Sequence, residues 1–440
     1  MKKEFYPNIP KIEYEGPKSK NMLAFKHYNK DEVVMGKKMS EHFKFAFAYW
    51  HGMNYDGTDM FGGGTYDRTY GESDGKARMK AKADAAFELM QKLGFDYFCF
   101  HDVDLCQPSP TLRELKDTLV YITDYIQEHM ERTGIKLGWG TANMFSDSRY
   151  KHGAATSPYF DTYASAACQV KNALDATIKL GGTGYTFWGG REGYETLLNT
   201  DMAFELDNLA RFYRMAIDYG RANGFKGTFF IEPKPKEPTM HQYDFDAATA
   251  IGFIQKYGFE DDFKLNLEAN HASLAGHTFE HEIRVARING MLGSLDVNHA
   301  ETLVGWDTDE FPKDVRSVAL TMYEMLKSGG LTDGVINFDA KLRRPSSDEL
   351  DNAIGFIVGM DTFALGLKLA AKMIEDGRID KFVEERYSSY NQGLGAKVLA
   401  GETNLEELEK HALELENKEL PSGRQEYLNG VINDLMCEGL

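Results

Sequence analysis

Short apolar runs recur along the chain, and most are followed by a stretch with helical spacing of apolar residues. The runs fall at Phe43–Tyr49, Phe95–Phe100, Ile135–Trp139, Thr183–Trp188, Gly227–Ile231, Phe263–Leu267, Met291–Leu295 and Gly334–Phe338. Runs of this length, rich in Phe, Ile, Leu and Val, suit strands buried on both faces of a parallel sheet. Between them the pattern predicts amphipathic helices. Lys76–Leu93 stops at Gly94, Thr111–Thr133 behaves in the same way, and Asp201–Asn223 stops at Gly224. Glycine at such a stop supplies the left-handed conformation that ends a helix. Strand–helix alternation repeated eight times predicts an α/β fold of the closed (β/α)8 TIM-barrel type.

The two ends depart from this rhythm. Residues 1–40 are polar, with scattered Pro and aromatics, and read as an N-terminal extension. Residues 41–375 hold the barrel. Residues 376–440 carry helical patterns such as Asn404–Glu416 without a strand signal. They read as a C-terminal helical arm that buries little against itself and packs on a partner subunit.

Composition then narrows the class. The 440 residues are 42% hydrophobic and 27% charged, with 50 Lys and Arg against 68 Asp and Glu, a net charge of −18. That is ordinary globular composition, and it excludes a disordered chain, a collagen-like fibre and a coiled-coil rod. The negative charge repels phosphate backbones, so a nucleic-acid partner is not expected. Cys99, Cys106, Cys168 and Cys437 form no CxxC pair, as expected of a reduced cytoplasmic protein. The N-terminal basic residues have no apolar segment behind them, so no secretory signal is expected. Apolar stretches such as Phe45–Trp50 are too short to span a bilayer, so no membrane partner is expected either.

The informative feature is what stands at the strand ends. In chain order these are Trp50-His51, His101 with Asp104, Trp139-Gly-Thr141, Trp188, Glu232 with Lys234, Glu268 with His271, Asp296, and Asp339 with Lys341. The carboxyl ends of all strands in such a barrel converge on one face, where active sites sit. A charge at one strand end is ordinarily a solvated loop residue; eight such placements on one face are harder to explain that way.

Glu232, Glu268, Asp296 and Asp339 would crowd one mouth, and burial makes their mutual repulsion worse. Protonation, lysine pairing or bound cations could relieve it. Lys234 and Lys341 cannot neutralise these four together with Asp307 and Asp309, so divalent metal is the simplest compensation. Oxygen ligands favour Mg²⁺, Mn²⁺ or Co²⁺, and His271 would shift a second site towards Mn²⁺ or Co²⁺. His101 and Asp104 form another pair; the carboxylate fixes the imidazole tautomer and raises its basicity. Trp50, Trp139, Phe145 and Trp188 supply flat aromatic walls that suit a sugar, although each could equally be core packing. His277-Thr-Phe-Glu280-His281 matches the H-x-x-E-H spacing of some zinc peptidases, but a peptidase would leave the barrel mouth unexplained. Gly62-Gly-Gly64 lacks the ending of a phosphate loop and reads as a flexible loop.

These residues resemble those of the D-xylose isomerase family in its longer, class II form. The matching stretches are Gly57-Thr-Asp-Met-Phe61, Phe100-His-Asp-Val-Asp104, Trp139-Gly-Thr-Ala-Asn-Met-Phe145, Phe187-Trp-Gly-Gly-Arg-Glu-Gly193, Ile231-Glu-Pro-Lys-Pro-Lys-Glu-Pro238, Asn266-Leu-Glu-Ala-Asn-His271, Gly305-Trp-Asp-Thr-Asp309 and Phe338-Asp-Ala-Lys341. They appear in order from about residue 40 to 345.

The resemblance implies a metal-dependent aldose–ketose isomerase acting on D-xylose, and more slowly on D-glucose, with two divalent ions per subunit and no nicotinamide cofactor. It implies that His101, oriented by Asp104, assists ring opening. Glu232, Glu268, Asp296 and Asp339 would hold a structural metal, and Glu268, His271, Asp307 and Asp309 a catalytic one. Lys234 would hydrogen-bond the oxygen at C1, Thr141 and Trp139 would help position the sugar or His101, and Asp309 would aid proton movement between O2 and O1. Phe61 would reach into a neighbouring subunit's pocket, and the arm would wrap partners in a homotetramer.

Two positions depart from the family pattern. His299 stands where an Arg is more usual, and Pro345 where a Gln is. No expected metal ligand is lost. Two other classes remain to be weighed: a barrel nuclease on abasic DNA, which would want more strand-end histidines and a basic groove, and a non-catalytic sugar-binding barrel, which would not need Lys234 or a second metal site. Another sugar isomerase, for example on L-rhamnose, is a neighbouring alternative.

Overall fold

A computed structural model describes residues 3–73, 75–416 and 419–438. The outermost residues of the expected extension and arm (1, 2, 439 and 440), together with 74, 417 and 418, lie outside the described residues. The chain divides into two compact units, Met1–Gly366 and Leu367–Leu440.

The first unit is built on a closed parallel barrel of eight strands. They are β1 (Phe45–Ala48), β2 (Tyr97–His101), β3 (Lys136–Thr141), β4 (Gly184–Trp188), β5 (Thr228–Glu232), β6 (Phe263–Glu268), β7 (Leu292–Asp296) and β8 (Ile336–Phe338). Neighbours around the barrel follow chain order, with β8 closing on β1. All eight expected strands are present, mostly shifted by one or two residues towards the carboxyl end.

Helices follow the strands: α1 (Gly75–Leu93), α2 (Leu112–Thr133), α3 (Phe160–Lys179), α4 (Met202–Ala222), α5 (Ala247–Tyr257), α6 (Phe279–Ile288), α7 (Val315–Lys327) and α8 (Glu349–Asp376). Thr111 starts α2 with a capping box, its side chain accepting from Glu114 N at 3.2 Å while Glu114 returns to the Thr111 backbone. Gly134, at φ 77°, ends the same helix.

Alternation along β1 shows how the layers separate. Phe45 and Phe47 point outward to rings of α8: Phe45 meets Phe363 at 6.0 Å, and Phe47 meets Phe356 at 5.2 Å. Ala46 belongs to a buried cluster with Cys99, Trp139, Phe230 and Val335. Phe230 reaches across because two glycines leave it room: a Cβ on Gly184 would stand 2.3 Å from its ring, and one on Gly293 2.6 Å.

Carboxylates strap the N-terminal segment to this unit. Asp361 accepts from the backbone N–H groups of Lys26, His27 and Tyr28, and Glu88 from those of Phe5 and Tyr6. The second unit is helical: α9 (Arg378–Tyr387), α10 (Gly393–Ala400), α11 (Leu405–Leu413) and α12 (Gln425–Cys437).

The expectation that no apolar stretch is long enough to cross a membrane needs correction. Helix α8 is long and apolar enough by length and composition, with 72% of its most apolar stretch buried. A buried core helix passes the same test, and Ala353, Phe356, Met360 and Phe363 of α8 are buried.

Candidate active site and metal centre

Parallel register sets the functional side chains at matching heights. Trp188 pairs with Glu232, Glu268 with Asp296, and His101 with Thr141. Each is the last residue of its strand, so all project into the mouth at the carboxyl end of the barrel. The mouth is a cavity of about 330 Å³ lined by these residues and by Trp50, Trp139, Phe145, Lys234, His271, Asp307, Asp309 and Asp339. Two of the expected site residues do not line it: Phe61 is 82% exposed on the loop after β1, and Asp104 stands behind His101.

Carboxylates converge as the strand-end pattern suggests. One oxygen from each of Glu232, Glu268, Asp296 and Asp339 lies within 4.8 Å of the others. Glu268 shares a second such group with Asp307 and Asp309. His271 Nε2 stands 3.0 Å from Glu268 Oε2 and 3.2 Å from Asp307 Oδ2. The Nδ1 of His271 and the Oδ1 of Asp307 are buried without hydrogen-bond partners among the described residues. Burial, and then neighbouring carboxylates, push Glu268 and Asp296 well above the usual carboxylate range; burial is also the main cause of the rise at Glu232. This mainly oxygen donor set, crowded and partly unsatisfied, fits hard divalent cations.

Three cations offset part of the charge. Lys234 Nζ lies 2.6 Å from Asp307 Oδ2, and Lys341 Nζ lies 2.7 Å from Asp309 Oδ2. His51 was not among the expected site residues, yet its Nε2 is 2.9 Å from Asp339 Oδ1 and 3.3 Å from Asp309 Oδ2. Burial opposes charge on His51, but Asp339 and Asp309 outweigh it and push its pKa up to about 9. Burial likewise opposes charge on Asp309, but Lys341 and His51 hold its carboxyl well below the usual range. Asp309 adopts φ 44°, a left-handed conformation that Asp tolerates better than most residues. Its carbonyl accepts from Lys341 N at 2.8 Å, which pins that conformation.

Three asparagines were also missed. Asn266 donates to Glu232 Oε2 and Asp296 Oδ2, Asn337 to Asp296 Oδ1, and Asn298 to Glu268 Oε1 at 2.7 Å and Asp309 Oδ1 at 3.2 Å. Asn266 and Asn337 sit inside strand patterns, where an amide reads as an interruption rather than a ligand support. The flanking His299 acts through its backbone: it pairs with Glu310 (N to O 2.7 Å), closing the loop that carries Asp307 and Asp309.

Across the cavity, His101 Nδ1 lies 2.9 Å from Asp104 Oδ2. Burial opposes charge on His101, and Asp104 more than compensates, so its pKa is raised. Asn54 Nδ2 holds Asp104 Oδ1 at 2.8 Å, and Lys82 Nζ donates both to Asn54 Oδ1 and to the Asp104 carbonyl. Trp50 packs on His101 at 4.5 Å and donates its indole N–H to Asp339 at 2.6 Å. Phe145 meets Trp188 edge-on at 4.4 Å. Trp139 is buried in the core cluster and forms part of the cavity floor. Thr141 donates its hydroxyl to the Thr186 carbonyl at 2.5 Å, tying β3 to β4.

The chain is 54% identical over 436 residues to the xylose isomerase of Thermotoga neapolitana, covering 99% of this chain and 98% of that one. It is also 54% identical over 434 residues to the xylose isomerase of Geobacillus stearothermophilus, with the same coverage. The chain belongs to the xylose isomerase family.

The family description "XylA2 C-terminal domain" matches residues 383–436, within the expected arm. Among solved structures, the D-psicose 3-epimerase of Clostridium cellulolyticum, determined with D-tagatose, superposes with a TM-score of 0.51 at 14% identity, covering 74% of this chain and 99% of that chain. An L-ribulose 3-epimerase gives 0.50 at 15% identity, covering 70% and 95%. These two likenesses show the barrel fold alone.

Proposed function

We propose that this protein is a metal-dependent aldose–ketose isomerase that converts D-xylose to D-xylulose, and D-glucose to D-fructose more slowly. The observation that carries the reading is the pair of carboxylate groups sharing Glu268, which faces the His101–Asp104 pair across an aromatic-walled cavity. Membership of the xylose isomerase family supports the same assignment.

Glu232, Glu268, Asp296 and Asp339 would hold one divalent ion, and Glu268, His271, Asp307 and Asp309 a second. Bound there, Mg²⁺, Mn²⁺ or Co²⁺ supplies Lewis acidity towards sugar oxygens and a template for the open chain. His101, kept basic by Asp104, exchanges a proton with the ring oxygen and the anomeric hydroxyl as the ring opens. Lys234 donates a hydrogen bond to O1. In the isomerisation itself a hydride moves from C2 to C1 and a proton from O2 to O1, so the aldehyde becomes a hydroxymethyl group and C2 a ketone. Asp309 would aid that proton transfer. Trp50, Phe145 and Trp188 wall the cavity and limit water, and no nicotinamide cofactor is required.

The working form on this reading is a cytoplasmic homotetramer in which Phe61 completes a neighbouring subunit's site. The exposure of Phe61 supports this, as do the solvent-facing Leu399, Leu405 and Leu413 of the helical arm and the free cysteines. The test is xylulose formation from D-xylose by metal-stripped protein before and after adding each ion. Turnover that appears only with metal supports the reading; folded, oligomeric protein inactive with every ion overturns it.

A further inference from the structure

The H-x-x-E-H segment does not form the helical pair of a zinc peptidase. His277 precedes the helix: Gly276, at φ 83°, turns the chain, and α6 begins only at Phe279. His281 lies in the first turn of α6. The acid that joins them is Glu282, not the Glu280 of the motif: ligand atoms of His277, His281 and Glu282 all lie within 4.8 Å of one another. None of the three lines the barrel-mouth cavity.

The surroundings hold these groups in place. The two imidazole rings lie nearly parallel, 4.5 Å apart with 23° between their planes. Two imidazolium rings at that spacing would repel, whereas two neutral rings offer lone pairs to the same space. Glu282 is buried; its Oε2 accepts from Ala247 N at 2.7 Å, and its Oε1 lies 4.0 Å from His281 Nε2. Burial pushes the Glu282 carboxyl up, and the Ala247 N–H offsets only part of that. Asp246 brings a second carboxylate: its Oδ2 is 3.2 Å from His277 Nε2, while its Oδ1 caps α5 through Thr249 N at 2.8 Å.

The geometry points to a third metal site on the outer face of the barrel, in which His277, His281 and Glu282 bind Zn²⁺ or a similar transition metal, with Asp246 beside His277. Two imidazoles and a carboxylate form a nitrogen–oxygen set that favours Zn²⁺, Co²⁺, Ni²⁺ or Cu²⁺ and is indifferent to Mg²⁺, unlike the oxygen-rich mouth. A bound ion would clamp the N-terminus of α6 to that of α5, since Glu282 and Asp246 each already bind backbone N–H groups of α5. Its role is structural bracing, separate from the sugar chemistry and independent of the isomerase assignment.

The experiment is a Zn²⁺ titration by equilibrium dialysis of untagged, metal-stripped full-length protein, alongside His281→Ala and His277→Gln. His281 is 51% exposed in its side chain, so its truncation leaves the core intact. The wild type is expected to hold one more Zn²⁺ per chain than either variant, while Mg²⁺ equivalents are the same for all three. With Mg²⁺ saturating, added Zn²⁺ should raise the thermal midpoint of the wild type more than that of either variant. Equal Zn²⁺ equivalents in wild type and folded variants would overturn the site, whether or not the mouth binds its own ions.

Discussion

Lys82 Nζ stands 2.8 Å from Asn54 Oδ1 and also donates to the backbone carbonyl of Asp104. A buried lysine thus underlies the pair formed by Asp104 and His101. Burial depresses the pKa of Lys82 to about 8, only partly offset by Asp104. Between that value and the unfolded pKa near 10.4, the unfolded chain binds more protons than the folded one. Stability from this residue therefore rises with pH through that window. Lys82→Met should remove that dependence, a difference of roughly 2–4 kcal/mol at most. Denaturation of wild type and variant at pH 7 and pH 10 checks it, and identical pH responses would contradict the buried charge.

Asp104→Asn keeps the shape of the side chain but removes the charge that raises the proton affinity of His101. Turnover should fall on the order of 10–100-fold with metal binding unchanged. The pH limb governed by His101 should move to lower pH, because the raised imidazole pKa loses its main support. A pH–rate profile of kcat tests both.

Asn298 binds Glu268, Asp309 and the carbonyl of Asp339 through one amide nitrogen. Asn298→Ala should release Glu268, shared by both proposed ion sites, and Asp309 of the second, and weaken metal activation by about 10–100-fold. The metal concentration that gives half-maximal activity reads this directly, while KM for the sugar at saturating metal should change less.

Glu232 is buried, and burial raises its pKa. Its ionisation in the metal-free chain is therefore costly, and that cost grows as pH rises from the unfolded carboxylate range towards the raised value. Metal binding displaces protons, so the gain in thermal midpoint from Mg²⁺ should widen from pH 5 to pH 7. Glu232→Gln should stabilise the metal-free protein and shrink that gain; a variant less stable than the metal-free wild type, with the full response to Mg²⁺, would contradict this.

Phe61 is almost wholly solvent-exposed in the single chain. If Phe61 completes a neighbour's sugar pocket as proposed, Phe61→Ser should leave folding unchanged and lower kcat/KM about tenfold, as a group lost from that pocket rather than from a core. Chain stability in urea, compared with turnover, separates the two.

Much of the site was legible because four of its acids, Glu232, Glu268, Asp296 and Asp339, occupy the last position of a strand or the one beyond. Strand runs are local signals, and a residue that ends one in this barrel faces the mouth wherever it lies in sequence. Glu232, Glu268, Asp296 and His101 could therefore be placed from hydrophobic spacing alone. The eight-strand barrel followed from the same repetition. Only the tertiary structure decided which groups meet. His51 reaches Asp339 from 288 positions away in the chain, and Asn266 bridges Glu232 and Asp296, because the register of parallel strands sets those heights. The left-handed Asp309 is held by Lys341, and α8 is a core helix because rings from β1 and β8 cover it. Glu282, not Glu280, joins His277 and His281 because the helix starts two residues after His277. Strand ends and apolar runs are written in nearest neighbours along the chain; polar partnerships depend on distances that exist only once the barrel has closed.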